Sequence, residues 1–219
     1  MSQSSNAKVI VVRPSDSLLK ISDVVEGIIS GIMETGEVDV VGINDGVFLA
    51  CSAINMSTEI AKVYIDEVCI ENLEVTGLGR AAAFSAHLAQ HQILDYSNLA
   101  EREEKELGDI AEQTVNVSRA ATMERLLTIS LLRLAKYDKI KIAAAGGSIN
   151  DAVALTLKLT TGQISKEPVG VKLLHLYSII MRNDPTKSIA AMSIYLQKRV
   201  TTECSKRQID VIKKLASML

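Results

Sequence analysis

One order of hydrophobic periodicities occurs twice along this chain, and that repetition limits what it can fold into more than any single motif does. Residues 7–12, AKVIVV, are a β-branched run closed by Arg13-Pro14-Ser15-Asp16, a strand followed by turn chemistry. From Leu18 the apolar residues Ile21, Val25, Ile28, Ile29 and Ile32 keep helical spacing up to Gly36, a residue that tolerates a left-handed C-cap. Residues 38–43 read as a second strand and Asn44-Asp45-Gly46 as a break. Residues 47–60 then read as a second helix with Leu49, Ala53, Ile54 and Met56 or Ile60 on one side. Residues 62–70 and 80–90 are two further strands, joined through Gly77-Leu78-Gly79.

The same order returns after residue 112. Residues 113–117 are a short strand, and 122–135 a helix striped by Met123, Leu126, Leu127, Leu131 and Leu134. Residues 139–144 are a strand broken at Gly146-Gly147, and 148–159 a helix presenting Ile149, Ala152, Val153 and Leu157. Residues 169–181 and 188–198 close the unit across the turn-rich segment 182–187. Gly46 and Gly146 fall at corresponding strand-to-helix junctions, so an internal duplication is the economical reading. The 219 residues accommodate two domains of this size. Domain boundaries are expected at 1–94 for the first unit, 95–112 for an acidic linker or short helix carrying Glu101, Glu103, Glu104 and Glu106, 113–200 for the second unit, and 201–219 for a docked C-terminal helix.

Charge divides along the chain. Residues 1–112 hold 7 Lys and Arg against 19 Asp and Glu; residues 113–219 hold 17 against 7. Two readings follow: the basic half offers a face to an anion or nucleic acid, or acidic and basic parts attract one another within or between molecules. Aromatic residues make up 3% of the chain, which disfavours base stacking as a binding mode. Cys51, Cys69 and Cys204 are an odd count at wide spacing and read as reduced core residues, with no metal-binding pattern. The polar N-terminus and the lack of an apolar run long enough to span a bilayer lead to the expectation of a cytoplasmic chain with no membrane partner.

The stretch KIKIAAAGGSINDAVALTLKL, residues 139–159, resembles the second strand, glycine turn and second helix of the Alba proteins, small archaeal chromatin and RNA-binding proteins. Residues 38–60 fit the same pattern more loosely, and the order of elements and the closing hairpin agree. The resemblance implies an α/β fold of the α+β kind: two tandem βαβαββ Alba-like units, each a four-stranded mixed sheet with two helices, forming an intramolecular pseudo-dimer. It also implies a non-enzymatic nucleic-acid-binding protein, for DNA or RNA, that uses no cofactor. The alternative is a structural or protein-interaction subunit that kept the duplicated fold and lost that binding.

Carried over position by position, the resemblance keeps one cation after each first strand, Arg119 and Arg13. It loses those beside the turn glycine, where Ala145, Gly147, Asp45 and Val47 stand, and the one on the second helix, where Asp151 or Cys51 stands. Hairpin cations persist as Arg182 and Lys187 in the second unit and as Arg80 in the first. The expected nucleic-acid-binding set is therefore Arg119, Arg125, Lys141, Arg182 and Lys187, with Arg13 and Arg80 as the first unit's remnants. Fewer phosphate contacts mean weaker binding. Homo-oligomers joined through the acidic and basic halves are a further expectation.

No catalytic constellation accompanies these residues. Gly146-Gly147-Ser148 opens a helix without the residues of a nucleotide-binding loop. His87 and His91 share a face of one strand with no carboxylate or Cys suitably placed beside them, His175 stands alone in an apolar strand, and Ser148 has no paired His or acid in sequence reach.

Overall fold

The computed structural model describes residues 7–13, 20–75, 79–161, 167–202 and 204–216. Pro14 to Leu18, the Gly77-Leu78 turn and Met218, which the sequence reading used, lie outside these residues. The chain divides into two compact units, one of residues 1–94 together with 204–219, the other of residues 95–203.

The first unit contains β1 (Lys8–Val12), α1 (Ile21–Thr35), β2 (Glu37–Ile43), α2 (Gly46–Ala61), β3 (Tyr64–Val75) and β4 (Gly79–Ala89). Its sheet runs in the order β1-β2-β4-β3, with β1 parallel to β2 and the other pairs antiparallel. Alternation then assigns the two faces. Val38, Val40, Phe84, Ala86 and Leu88 are fully buried with Ile28, Val47 and Ile54 of the two helices. Apart from Ala86, each such side chain contributes about 1.5–3 kcal/mol on leaving water. The second helix differs from expectation at its end, because Met56 and Ile60 point to solvent and its buried face is Val47, Ala50, Cys51, Ala53 and Ile54.

The opposite face carries Val41, Ile43, Cys69, Leu73, Ala81 and Ala83, and these are covered by α7 (Lys206–Ala216) through Ile212 and Leu215. The C-terminal helix is thus part of the first unit. Cys204, just before α7, is joined to Cys69 of β3 by a disulfide across a sequence separation of 135. The expectation that all three cysteines are reduced is corrected here for two of them: pairing of β3 with β4 turns Cys69 toward the α7 side, where the returning chain brings Cys204. Cys51 is free and buried, and burial pushes its thiol pKa up.

The second unit begins with α3 (Tyr96–Leu107) and α4 (Ile110–Gln113), the stretch read from sequence as a linker or short helix. It continues through β5 (Thr114–Asn116), α5 (Met123–Lys136), β6 (Lys139–Ala145), α6 (Ser148–Thr160), β7 (Val169–Met181) and β8 (Asp184–Lys198). The sheet order β5-β6-β8-β7 reproduces that of the first unit, again with one parallel pair. Ile140, Ile142, Ile149, Leu155, Leu159, Met192, Ile194 and Leu196 fill its core. Thr122 caps α5, its Oγ1 accepting from the Arg125 amide at 3.4 Å. A smaller cluster of Ala100, Leu107 and Tyr195, flanked by Leu173, fixes α3 on the other face. Each unit is therefore a βαβαββ sheet with a third helix added to the face that the first two leave open.

The corresponding strand-to-helix junctions are not the two glycines that the sequence pairs. Gly146 has φ +58°, its amide donates to Ala190 O at 2.8 Å, and its carbonyl accepts from Ile149 at 3.0 Å. In the first unit the same three features belong to Asn44, with φ 49°, an amide donating to Ala82 O at 2.8 Å and a carbonyl accepting from Val47 at 3.1 Å. Asn tolerates the left-handed region and here also uses its side chain, Oδ1 accepting from the Ala82 amide at 3.0 Å. Gly46 has a different reason to be glycine: a Cβ there would collide with the Val12 backbone.

Candidate functional site

The third helix of each unit sits on its sheet through charges of opposite sign. On β2 the α7-facing positions are Glu37 and Asp39, and on β6 the α3-facing positions are Lys139 and Lys141. In the first unit Asp39, 2% exposed, lies 3.0 Å from His87 Nδ1, accepts from Gln208 Nε2 at 3.1 Å and lies 3.5 Å from Arg207 Nη2. Glu37 lies 3.2 Å from Arg207 and 3.4 Å from His87. In the second unit Lys172 lies 2.5 Å from Glu103, Lys139 pairs with Glu103 and Glu106, Lys141 pairs with Glu104, and Tyr195 donates to Glu104 at 2.9 Å. The carboxylates beside His87 come from the neighbouring strand through the Asp39–His87 register, which corrects the reading that none is placed there.

This exchange accounts for most of the charge division along the chain. The first unit, with α7 included, holds 9 Lys and Arg against 13 Asp and Glu; the second, with α3 included, holds 15 against 13. Opposite charges meet inside each unit.

The expected binding residues separate accordingly. Lys141 is ion-paired to Glu104 beneath α3 with its side chain 12% exposed, so it does not present its charge to solvent. Arg80 is exposed on β4 beside Glu74 at 3.7 Å, and Arg13 follows β1 on the face where α7 lies. Arg119, Arg125, Arg182 and Lys187 remain on the surface of the second unit.

Strand directions bring three of these features to one end of that unit. β5 and β6 run parallel and both finish there, so the loop bearing Arg119 and the Gly146-Gly147 turn adjoin. The Arg119 guanidinium lies directly over Gly147, occupying the space that a Cβ would take. β8 runs the other way, and its last partner on β6 is the Ala145–Ala191 pair, so residues 184–190 project past the same end with β7. At about 3.3 Å per residue the hairpin extends roughly 10–15 Å beyond the turn. Its tip is Arg182-Asn183, tighter than the six-residue turn expected, and three residues bulge from β8 where Ile180 pairs Ser188 and Met181 pairs Asp184. Lys187 Nζ lies 2.9 Å from Asp184, and Ile180 is 70% exposed. Arg13 and Arg119 do not correspond: Arg13 faces α7, whereas Arg119 faces α6.

No family model and no curated protein matches this chain. Among solved structures it is similar to the crystal structure of ALBA1 from Trypanosoma brucei, with a TM-score of 0.34 and 18% identity over 49% of this chain and 81% of that one. No helix among the described residues is long and apolar enough to cross a membrane. No group of three His, Cys, Asp or Glu among the described residues is placed to hold a metal ion.

Acid is expected to weaken the second unit. Burial lowers the His175 pKa, so below about pH 6.5 the unfolded chain takes up a proton that the folded one resists. Glu104 is held low by its hydrogen bonds from Lys141 and Tyr195. Its contribution is complete above the unfolded carboxylate value, about 4.3, and is lost as pH falls through the folded one. Asp66 of the first unit acts oppositely, because burial raises its pKa and the folded state gains from protonation as pH falls. Hydrogen exchange at about pH 7 and pH 5, corrected for intrinsic rates, should show protection falling in the second unit, less so in His175→Gln. Unchanged protection there would contradict the assignment.

Proposed function

We propose that this chain is a non-enzymatic nucleic-acid-binding protein that contacts phosphates with one end of its second unit. The observation that carries this reading is the convergence of Arg119, the α6 N-terminal turn and the projecting hairpin with Arg182 and Lys187 at a single sheet end. A hairpin and a loop on either side of a glycine turn offer cations along one edge to a sugar-phosphate backbone, and the first amides of α6 favour anions there. Arg125, in the first turn of α5, extends the same set. The binding surface is the sheet end, not the broad sheet face, because Lys139, Lys141 and Lys172 are committed to α3.

Four cations set the expected strength. With Arg119, Arg125, Arg182 and Lys187 each meeting a phosphate, log K should fall against log salt with a slope of about −3 to −4 on duplex DNA. A filter-binding titration between about 50 and 200 mM salt measures it. Reversing Arg119, Arg182 and Lys187 together to Glu should weaken binding at low salt by at least about tenfold. Failure of the folded wild-type chain to bind DNA or RNA at low salt would dispose of the reading and leave the interaction-subunit alternative.

A further inference from the structure

The two units guard their outer strands differently. In the second unit the outer strand, β5, is three residues long. Its Thr114 is buried with the carbonyl accepting from the Arg133 guanidinium, and Asn116 ends it with a polar side chain. In the first unit the outer strand is Lys8-Val9-Ile10-Val11-Val12, whose register with β2 is unbroken. Among the described residues no strand pairs with its outer edge. Val9 holds the position that Thr114 holds in the second unit, opposite Asp39 where Thr114 is opposite Lys141, yet it is 38% exposed. Alternation turns Val9 and Val11 to the α7 side, where they meet a cleft of about 460 Å³ whose other wall includes Val211 and Leu215. An unpaired edge of β-branched residues, with no Pro and no bulge, is a template for another strand.

We propose that β1 pairs with β1 of a second copy of this chain, antiparallel about a two-fold axis at Ile10, so that two four-stranded sheets become one of eight. The strand itself specifies both partner and register. Pairing about Ile10 sets Val9 opposite Val11 of the second copy and Val11 opposite its Val9. Directly opposite residues share a face, so four valines form one block on the α7 side, beside the apolar wall that each cleft presents. On the other face Ile10 meets Ile10 and Lys8 meets Val12. Like charges fall apart: Arg13 lies opposite Ala7 and roughly 20 Å from its own counterpart, and Lys8 roughly 13 Å from its own, both beyond a screening length of about 8 Å. Moving the axis one residue either way sets Val9 opposite Arg13 or brings the two Lys8 residues within about 7 Å of each other. The same patch is used by both copies, so association stops at two. It includes none of Arg119, Arg125, Arg182 and Lys187, so it stands or falls independently of phosphate binding.

Sedimentation equilibrium on the full chain between about 1 and 300 µM tests the proposal and should show monomer and dimer with no larger species. The dimer should persist at about 0.5 M salt, because main-chain hydrogen bonds and valines hold it. Hydrogen exchange at the two ends of that concentration range should show β1 amides gaining protection as the chain is concentrated, while β5 amides stay constant. Val9→Lys, at an exposed position, gives β1 the charge that natural edge strands use to stay single, and should weaken the dimer at least about tenfold. Protection of β2 and β4 in dilute Val9→Lys should match wild type, which separates lost pairing from lost folding, and Val9→Ile should dimerise as wild type does. A wild-type chain that stays monomeric throughout, a dimer that salt disperses without any gain at β1, open-ended growth, or a folded Val9→Lys chain that dimerises like wild type would each overturn the proposal.

Discussion

Asp39→Ala is expected to destabilise the first unit by about 3 kcal/mol and to loosen α7 from its sheet. Removing one member of a buried charged group costs about 3–5 kcal/mol, because the partners stay buried without it. Here the deserted groups are His87 Nδ1, at 3.0 Å, and Gln208 Nε2, at 3.1 Å, both on buried residues. Glu37 remains 3.2 Å from Arg207 and 3.4 Å from His87, which retains part of the charge pairing and places the expected cost at the lower end of that range. Asp39→Asn keeps an acceptor for Gln208 and should cost less. Urea unfolding followed by hydrogen exchange separates the units: amides of α7, β3 and β4 should lose protection in Asp39→Ala, while those of the second unit stay as they are. The disulfide still holds the N-terminal end of α7 to β3, so the loss should be greatest at the helix's far end, near Leu215. Protection of α7 equal to wild type would refute the role given to Asp39.

The core half of this architecture is written locally and the covering half is not. Runs such as KVIVV and KIKIAAAGGS state strand, or strand, turn and helix, within a few residues, because side-chain period and turn chemistry act over that range. The two four-stranded sheets and their shared order follow from those runs. The contacts that seat α3 and α7 join residues far apart in sequence: Lys141 to Glu104, Asp39 to Gln208, Cys69 to Cys204. No local period links such residues. The charge division along the chain was the available signal, and its resolution required knowing which helix returns to which sheet. The junction pairing shows the opposite weakness, where a residue type misleads: Gly46 invites alignment with Gly146, yet the left-handed position is Asn44, and Gly46 is small because the Val12 backbone passes beside it. For the surface cations, sequence supplied the identities of Arg119, Arg182 and Lys187. Only strand direction supplied their common end of the sheet, and only the docking of α3 removed Lys141 from among them.

The same exchange of charge leads to a second large effect, in the other unit. Lys141→Glu places a carboxylate against Glu104 and strips it of the cation that holds its pKa down. With Lys141 mostly buried and Glu104 partly open to solvent, screening tempers the penalty to about 2–3 kcal/mol. The consequence should be release of α3, read as lost protection over residues 96–107 and a lower urea midpoint for the second unit. Glu104→Lys in the same chain restores opposite charges at the pair. Recovery should be partial, because Tyr195 loses the acceptor that it reaches at 2.9 Å, and a coupling of at least about 1 kcal/mol in the double-mutant cycle is expected. If ion pairs merely decorated an apolar contact made by Ala100, Leu107 and Tyr195, the cycle would show no coupling and each single change would cost little. A substantial coupling instead means that charge selects the helix. The apolar groups that α3 and α7 bring, Ala100 and Leu107 or Ile212 and Leu215, are few, which leaves charge a large share in the choice. Glu37 and Asp39 on one strand and Lys139 and Lys141 on the other make only one assignment free of like-charge burial, and Lys141→Glu turns one of those matched pairs into a like-charge contact.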